Sequence, residues 1–170
     1  LTALRRFGPA SKADLARRIG LTSNAAGVIV RKLEENGLVR MRGKRFGGRG
    51  QPATLLELNP SGAFSIGVRI DRGMISSVLV DLQGTVLDRC FIGELPPPET
   101  AMSLIADHVA GFRRHLGAEA SGRIAGIGVA LPYNFGSWIA ELELPGDSLG
   151  PWDAFDVQSR LARVTGLPIV

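Results

Sequence analysis

Cysteine is almost missing from this chain of 170 residues. Cys90 stands alone, which excludes a disulfide framework and a cysteine-rich zinc site within it and leaves a small packed hydrophobe as its role. Histidine is nearly as scarce: His108 and His115 sit seven residues apart on an expected helix without an obvious set of cysteine or carboxylate ligands, so no metal is expected. Long apolar runs are lacking too. No stretch reaches the roughly 20 residues a spanning helix needs, and residues 1–6 lack a signal-peptide core, so a cytoplasmic location away from membranes is expected. The hydrophobic content of 45% is ample for buried cores in one or two domains.

Charge is present but unevenly spread. Residues 1–58 hold 12 basic and 4 acidic side chains, a net +8, whereas residues 59–170 hold 8 basic and 12 acidic, a net −4. A basic segment joined to an acidic one places the electrostatic footprint for a polyanion at the N-terminal end alone.

Within that basic segment residues 11–52 read as helix, turn, helix and hairpin. Ser11 can cap a helix over 11–19 and Asp14 complements its positive end; Gly20 stops it, with Leu21 expected to bury between the two helices. Thr22 can cap a second helix over 23–35, closed by Asn36-Gly37. Its Ala26, Ile29, Val30 and Leu33 follow helical spacing as an apolar stripe, leaving Ser23, Asn24, Gly27 and Arg31 on the opposite side, a small polar face that suits a major groove. Strands over 38–42 and 53–58 would flank a wing whose cations, Arg42, Lys44, Arg45 and Arg49, can reach phosphates or a narrow minor groove. The plain alternative is a structural helix pair with a solvated basic surface.

The turn-forming Asn59-Pro60-Ser61-Gly62 marks the expected junction between domains 1–58 and 59–170. Beyond it, strands are expected over 63–70, 74–81 and 85–92. A helix over 99–116 follows, its broad face carrying Ala101, Leu104, Ile105, His108, Val109 and Phe112. Residues 124–131 form a near-continuous apolar run of the kind buried on both faces of a sheet. An aromatic-rich loop over 132–138, a helix over 155–165 and a short strand over 167–170 complete a mixed α/β layout without internal repeats.

The order and spacing of several short motifs resemble the ROK family of transcriptional regulators. They are Gly20-Leu21-Thr22; Leu33-Glu34-Glu35-Asn36-Gly37-Leu38-Val39; Gly47-Gly48-Arg49-Gly50-Gln51-Pro52 ahead of Leu56-Glu57-Leu58-Asn59-Pro60; Ile66-Gly67-Val68; Leu79-Val80-Asp81-Leu82-Gln83-Gly84; Gly126-Ile127-Gly128-Val129-Ala130-Leu131-Pro132; and Thr165-Gly166-Leu167-Pro168-Ile169-Val170. The resemblance runs nearly end to end. It implies an α/β protein with an N-terminal winged helix-turn-helix, followed by an incomplete actin-like, RNase H-like lobe with a mixed sheet. The implied function is a sugar-responsive repressor of a carbohydrate-utilisation operon, acting as a homodimer on operator DNA, with no cofactor and no enzymatic activity. The implied DNA contacts are Thr22, Ser23, Asn24, Gly27, Arg31, Lys32, Arg42, Lys44, Arg45, Arg49 and Gln51. The sugar or sugar derivative would lie near Pro132, Tyr133, Asn134 and Trp138, since rings stack on sugar faces and Asn134 can bond hydroxyls.

Three departures from the family pattern matter. Sugar kinases of the superfamily carry Asp-Xaa-Gly-Gly-Thr after the first strand; here Arg69-Ile70-Asp71-Arg72-Gly73 lacks both glycines and sets Asp71 where phosphates would lie, against phosphoryl transfer. The second helix carries Ala25, Gly27 and Val28 where relatives often have longer polar side chains. In the wing Gly48-Arg49-Gly50-Gln51-Pro52 is similar to a Gly-Arg-Gly-Arg-Pro element, with Gln51 replacing the second arginine; Arg49 could enter an A·T-rich minor groove while Gln51 reads acceptors. The family places an acidic sugar-binding segment and a second lobe beyond Val170, so the chain is expected to be a fragment or a truncated product, with apolar surface left open. Two other readings stay open: a sugar kinase with a basic extension, and a truncated DNA-binding protein that no longer senses sugar.

Overall fold

The computed structural model describes residues 1–46, 52–132 and 150–170. These divide into two compact units, Leu1–Ala63 with Asp81–Thr85, and Phe64–Val80 with Val86–Val170.

In the first unit α1 (Thr2–Phe7) precedes α2 (Lys12–Ile19), α3 (Ser23–Glu35) and an antiparallel hairpin of β1 (Val39–Arg45) and β2 (Ala53–Leu58). Local chemistry sets most of these ends. Ser11 and Asp14 form a reciprocal capping box on α2, the Ser11 hydroxyl accepting from the Asp14 amide while Asp14 accepts from the Ser11 amide. Gly20 then adopts φ 69°, ψ 30°, a left-handed geometry that costs a side-chain-bearing residue strain and that turns the chain between α2 and α3. The Thr22 hydroxyl accepts from the Ala25 amide to start α3. At its far end the Leu38 amide donates to the Leu33 carbonyl and the Gly37 amide to Glu34, the paired bonds of a Schellman ending. A six-residue helix whose N-cap, Leu1, makes no side-chain bond gave no such signal, and α1 was not legible in advance.

Leu4, Ala10, Leu15, Val30, Val39, Leu56 and Leu58 make the core of this unit. Leu56 is its centre. It is fully buried and exchanges both backbone hydrogen bonds with Ala10, so a third short segment adds to the hairpin. Gly62, in the 3-10 turn Pro60–Gly62, packs so closely that a Cβ there would lie 2.5 Å from the Gly37 carbonyl oxygen. Because that neighbour is backbone, no side-chain rotation relieves the clash, and glycine is required by space. Two expectations fail here: Leu21 is 38% exposed rather than buried between helices, and Ile29 is 45% exposed. Both flank a core too small to enclose every apolar residue of α3 and its turn.

The second unit is a four-stranded sheet in the order β5-β4-β3-β6, formed by β3 (Phe64–Ile70), β4 (Ile75–Asp81), β5 (Val86–Ile92) and β6 (Ile124–Ala130). It is mixed, with β3 parallel to β6 and β4 antiparallel to β5. A parallel pair needs a crossover, supplied by α4 (Pro98–Ser121), which starts with proline in its first turn and kinks at Gly117. Strict alternation along β3 sends Phe64, Ile66, Val68 and Ile70 to one face, where they meet Ala101, Met102, Ile105, Val109 and Phe112 of α4. Leu161 of the closing helix, Val157–Thr165, joins this core together with Trp152 from the short helix Gly150–Asp153.

β6 differs from expectation. Ile124 and Ile127 are buried, yet Ala125 and Ala130 are exposed, so among the described residues the strand is covered on one face only. On the other face Gly67, Arg69, Ser76, Val78 and Gly128 line a recess of 360 Å³. The final expected strand reduces to an isolated parallel bridge between Ile127 and Ile169. Cys90 is only partly buried, at the edge of this core. His108 lies 3.0 Å from the Ser77 hydroxyl and His115 lies 3.2 Å from Asp88, two separate pairs; among the described residues no cluster of three or more metal-ligating side chains exists.

Candidate nucleic-acid interface

Helix α3 sorts its side chains by angle. Ala26 and Val30 face the core, which leaves Ser23, Asn24, Val28 and Arg31 exposed on the outward side, with Gly27 half-buried beside them. Lys32 is also exposed, on the flank of that face. Thr22 is exposed as well, but its hydroxyl is occupied as the helix cap at 3.3 Å. Ser23, Asn24 and Arg31 therefore stand together where a groove floor could be read.

Gly27 is not there for packing. A Cβ at that position would meet nothing within 4 Å. Gly27→Ala is expected to raise the unfolding free energy of this unit by about 0.5–1 kcal/mol, because alanine loses less backbone entropy in a helix interior. If glycine serves close approach to DNA, the same variant also binds its site more weakly. Urea unfolding and a binding titration check the two halves, and unchanged affinity would leave Gly27 without a role in recognition.

The wing cations differ from one another in a way their one-dimensional spacing does not reveal. A register shift between Met41 and Gly43 bulges β1 at Arg42. Glu57 on β2 then pairs with Arg40 at 2.8 Å and with Arg42 at 3.7 Å. Arg45 reaches back to Asp14 on α2 at 3.1 Å. Lys44 is exposed and, like Arg31 and Lys32, has no ion-pair partner among the described residues. Arg42 and Arg45 thus carry part of their charge into intramolecular pairs, whereas Lys44 offers all of it to solvent. Arg49 and Gln51 lie outside the described residues.

Asp14 is the hub of this arrangement, and only its capping role is visible in sequence. Its carboxylate accepts from the Ser11 hydroxyl and amide, Arg17 and Arg45, and is largely buried. These bonds, the Ser11 hydroxyl first, hold its pKa well below the usual carboxylate range. A carboxyl with a depressed folded-state pKa stabilises the fold above its unfolded value near 4 and ceases to do so as pH falls through the lowered one. The urea midpoint of this unit should therefore drop as the pH is taken from 5 towards 2, and Asp14→Asn should flatten that limb. An unchanged acid limb in the variant would show that other carboxylates govern it.

A second feature missed in sequence is the pair of guanidinium groups flanking Phe7. Arg6 and Arg18 sit 5.3 and 5.1 Å from its ring centre, so an exposed aromatic fixes two cations on the surface of the unit. The adjacency of Arg6 to Phe7 was the available signal; the approach of Arg18 from α2 was not.

Of the expected effector contacts, Pro132 is half-buried and lines a shallow recess of 150 Å³ with Arg69, Ile70, Asp71, Ala130 and Leu131. Tyr133, Asn134 and Trp138 lie outside the described residues. At the end of β3 the Arg69 guanidinium pairs with the Asp71 carboxylate, which also accepts from the Arg72 amide. The Arg72 amide and the Arg69 charge lower the Asp71 pKa. Asp71 is therefore a neutralised carboxylate rather than a bare one, and the turn still lacks the glycines through which backbone amides approach phosphates.

The first unit has a winged helix-turn-helix fold, and its residues 1–40 match the family described as winged helix-turn-helix DNA-binding. Over 133 residues the chain is 29% identical to the xylose repressor of Bacillus spizizenii (strain ATCC 23059 / NRRL B-14472 / W23), a match that spans 78% of this chain and 34% of the repressor. It is 27% identical, with the same coverage of both, to the xylose repressor of Bacillus subtilis (strain 168). The chain thus spans about a third of the length of the curated relatives it matches. In fold it is similar to the crystal structure of a ROK-family transcriptional regulator described as a homolog of the E. coli MLC protein. That match covers 99% of this chain and 42% of the other, with a TM-score of 0.62 and 22% identity. The chain thus combines a winged helix-turn-helix match over residues 1–40 with a fold similar, along nearly its whole length, to that of a ROK-family transcriptional regulator.

Proposed function

We propose that this chain carries the operator-binding head of a sugar-responsive transcriptional repressor, acting in the cytoplasm as a homodimer at carbohydrate-utilisation genes. One observation carries the reading: α3 turns Ser23, Asn24 and Arg31 outward together, beside a wing whose Lys44 has no internal ion partner among the described residues. Backbone phosphates would be met by Thr22, Lys32, Lys44 and the wing arginines Arg42, Arg45 and Arg49, and base edges by Ser23, Asn24, Arg31 and Gln51, with Gly27 permitting approach.

The effector is a sugar or sugar derivative held near Pro132, Tyr133, Asn134 and Trp138. Xylose is the first to test, because two relatives are named as xylose repressors. A regulatory rather than enzymatic role is supported by those names and by the Arg69–Asp71 pair in a turn that lacks the phosphate-binding glycines. Binding by a dimer would show as two half-sites related by a two-fold axis.

The test is a titration of the 170-residue chain against its own upstream intergenic DNA and a scrambled duplex at two salt concentrations. Selective binding that weakens steeply with salt is expected, and Lys44→Ala should reduce the slope of log affinity against log salt by about 0.9. Equal, weak binding to both duplexes would overturn the reading.

A further inference from the structure

We propose that Val28 is a base-reading residue whose two methyl groups contact the C5-methyl of a thymine in the major groove. This rests on the DNA-binding reading above and names one determinant of its sequence preference.

Val28 is 59% exposed at the middle of the outward face of α3. It lies four residues after Asn24 and three before Arg31, the spacings that make neighbours on a helix surface. The buried Ala26 and Val30 each lie two positions away, and so on the opposite side. Valine at such a site is poor for the free protein. A β-branched residue lowers helix propensity, and an apolar side chain left in water contributes no burial. Its χ1 angle is locked in a helix, however, so both methyls are presented in one direction without an ordering cost on binding.

The neighbours sharpen the assignment. Ser23, Asn24 and Gly27 are short, so the N-terminal half of α3 must come close to the base edges before any of its side chains reads one. At that distance valine needs an apolar group projecting towards it, and in the major groove only thymine displays one. Ile29 is also exposed but lies on the other side, lining the apolar cleft of the head with Leu4, Leu15 and Ala26. Asn24, Arg31, Lys32 and Lys44 make the surroundings of Val28 polar and basic, which suits a polyanion better than an apolar protein surface.

Selection of preferred duplexes from a random pool with the 170-residue chain supplies a site. Each thymine in it is then replaced by uracil, which keeps every hydrogen-bonding group and removes only the methyl. One or two positions should show about fourfold weaker binding on replacement, the value of one buried methyl-sized group. Val28→Ala should bind the thymine and uracil forms alike, while Val28→Thr, which retains one methyl, keeps part of the difference. Because Val28 is exposed in a helix, both variants should retain the unfolding midpoint of the parent or exceed it. Indifference of the parent to uracil throughout the site, or an equal uracil penalty in Val28→Ala, would overturn the proposal and leave DNA binding standing. A change of oligomeric state in Val28→Ala with no change in uracil response would overturn it in favour of a contact between copies. Failure to select any sequence would remove both this inference and the function on which it rests.

Discussion

Leu56→Ala is expected to abolish DNA binding without touching a single cation. Leu56 is fully buried at the centre of the head's core, and its backbone holds Ala10 through bonds of 2.9 and 3.0 Å. Truncating a buried leucine removes its transfer free energy and leaves a cavity, together about 2–5 kcal/mol. A unit of this size holds roughly 3–10 kcal/mol in all, so the loss takes half or more of it. The helix-turn-helix would then unfold well below the midpoint of the parent. Circular dichroism against urea and a binding titration at the same temperature check this. Met41→Ala is the control, because Met41 is the register partner of Leu56 on β1 yet is 63% exposed. Unchanged stability in Leu56→Ala would mean that the hairpin is held by its backbone ladder alone.

The largest stability loss in the second unit should come from Phe112→Ala. Phe112 is fully buried on α4, in one large cluster with Ile66, Ile105, Val109 and Leu161. Phenylalanine to alanine in such a place costs about 3–5 kcal/mol. Buried Trp152 belongs to the same cluster, so its fluorescence, read in a Trp138→Phe background, should report an unfolding midpoint displaced to lower urea. A shift smaller than that of an exposed substitution such as Phe91→Ala on β5 would show that the crossover helix contributes less than its burial implies.

The two variants also separate sites that one-dimensional reading treats alike. Leu56 and Phe112 are both apolar residues in amphipathic elements, but only the packing shows which is central. The same holds for polar positions. Thr22, Ser23 and Asn24 are consecutive, yet the Thr22 hydroxyl is used by the Ala25 amide while Ser23 and Asn24 face outward. Among wing cations at nearly regular spacing, Glu57 and Asp14 engage Arg42 and Arg45 and leave Lys44 free of an ion pair among the described residues.

Caps, turns and periodicity are local, and the sequence by itself determined them: the Ser11 and Asp14 box, the Thr22 cap, the Asn36-Gly37 ending and the alternation of β3 each depend on residues within a few positions. The concentration of positive charge in the head was equally legible, because a sum over residues needs no geometry. The tertiary structure alone decided which charges remain available and which apolar residues remain outside. Arg45 meets Asp14 across 31 positions, Ile29 and Leu21 lie beyond a core already filled by Leu15, Val30 and Leu56, and β6 is covered on one face among the described residues. Such outcomes depend on chain segments far apart in sequence, brought together by burial that acts on area and not on order.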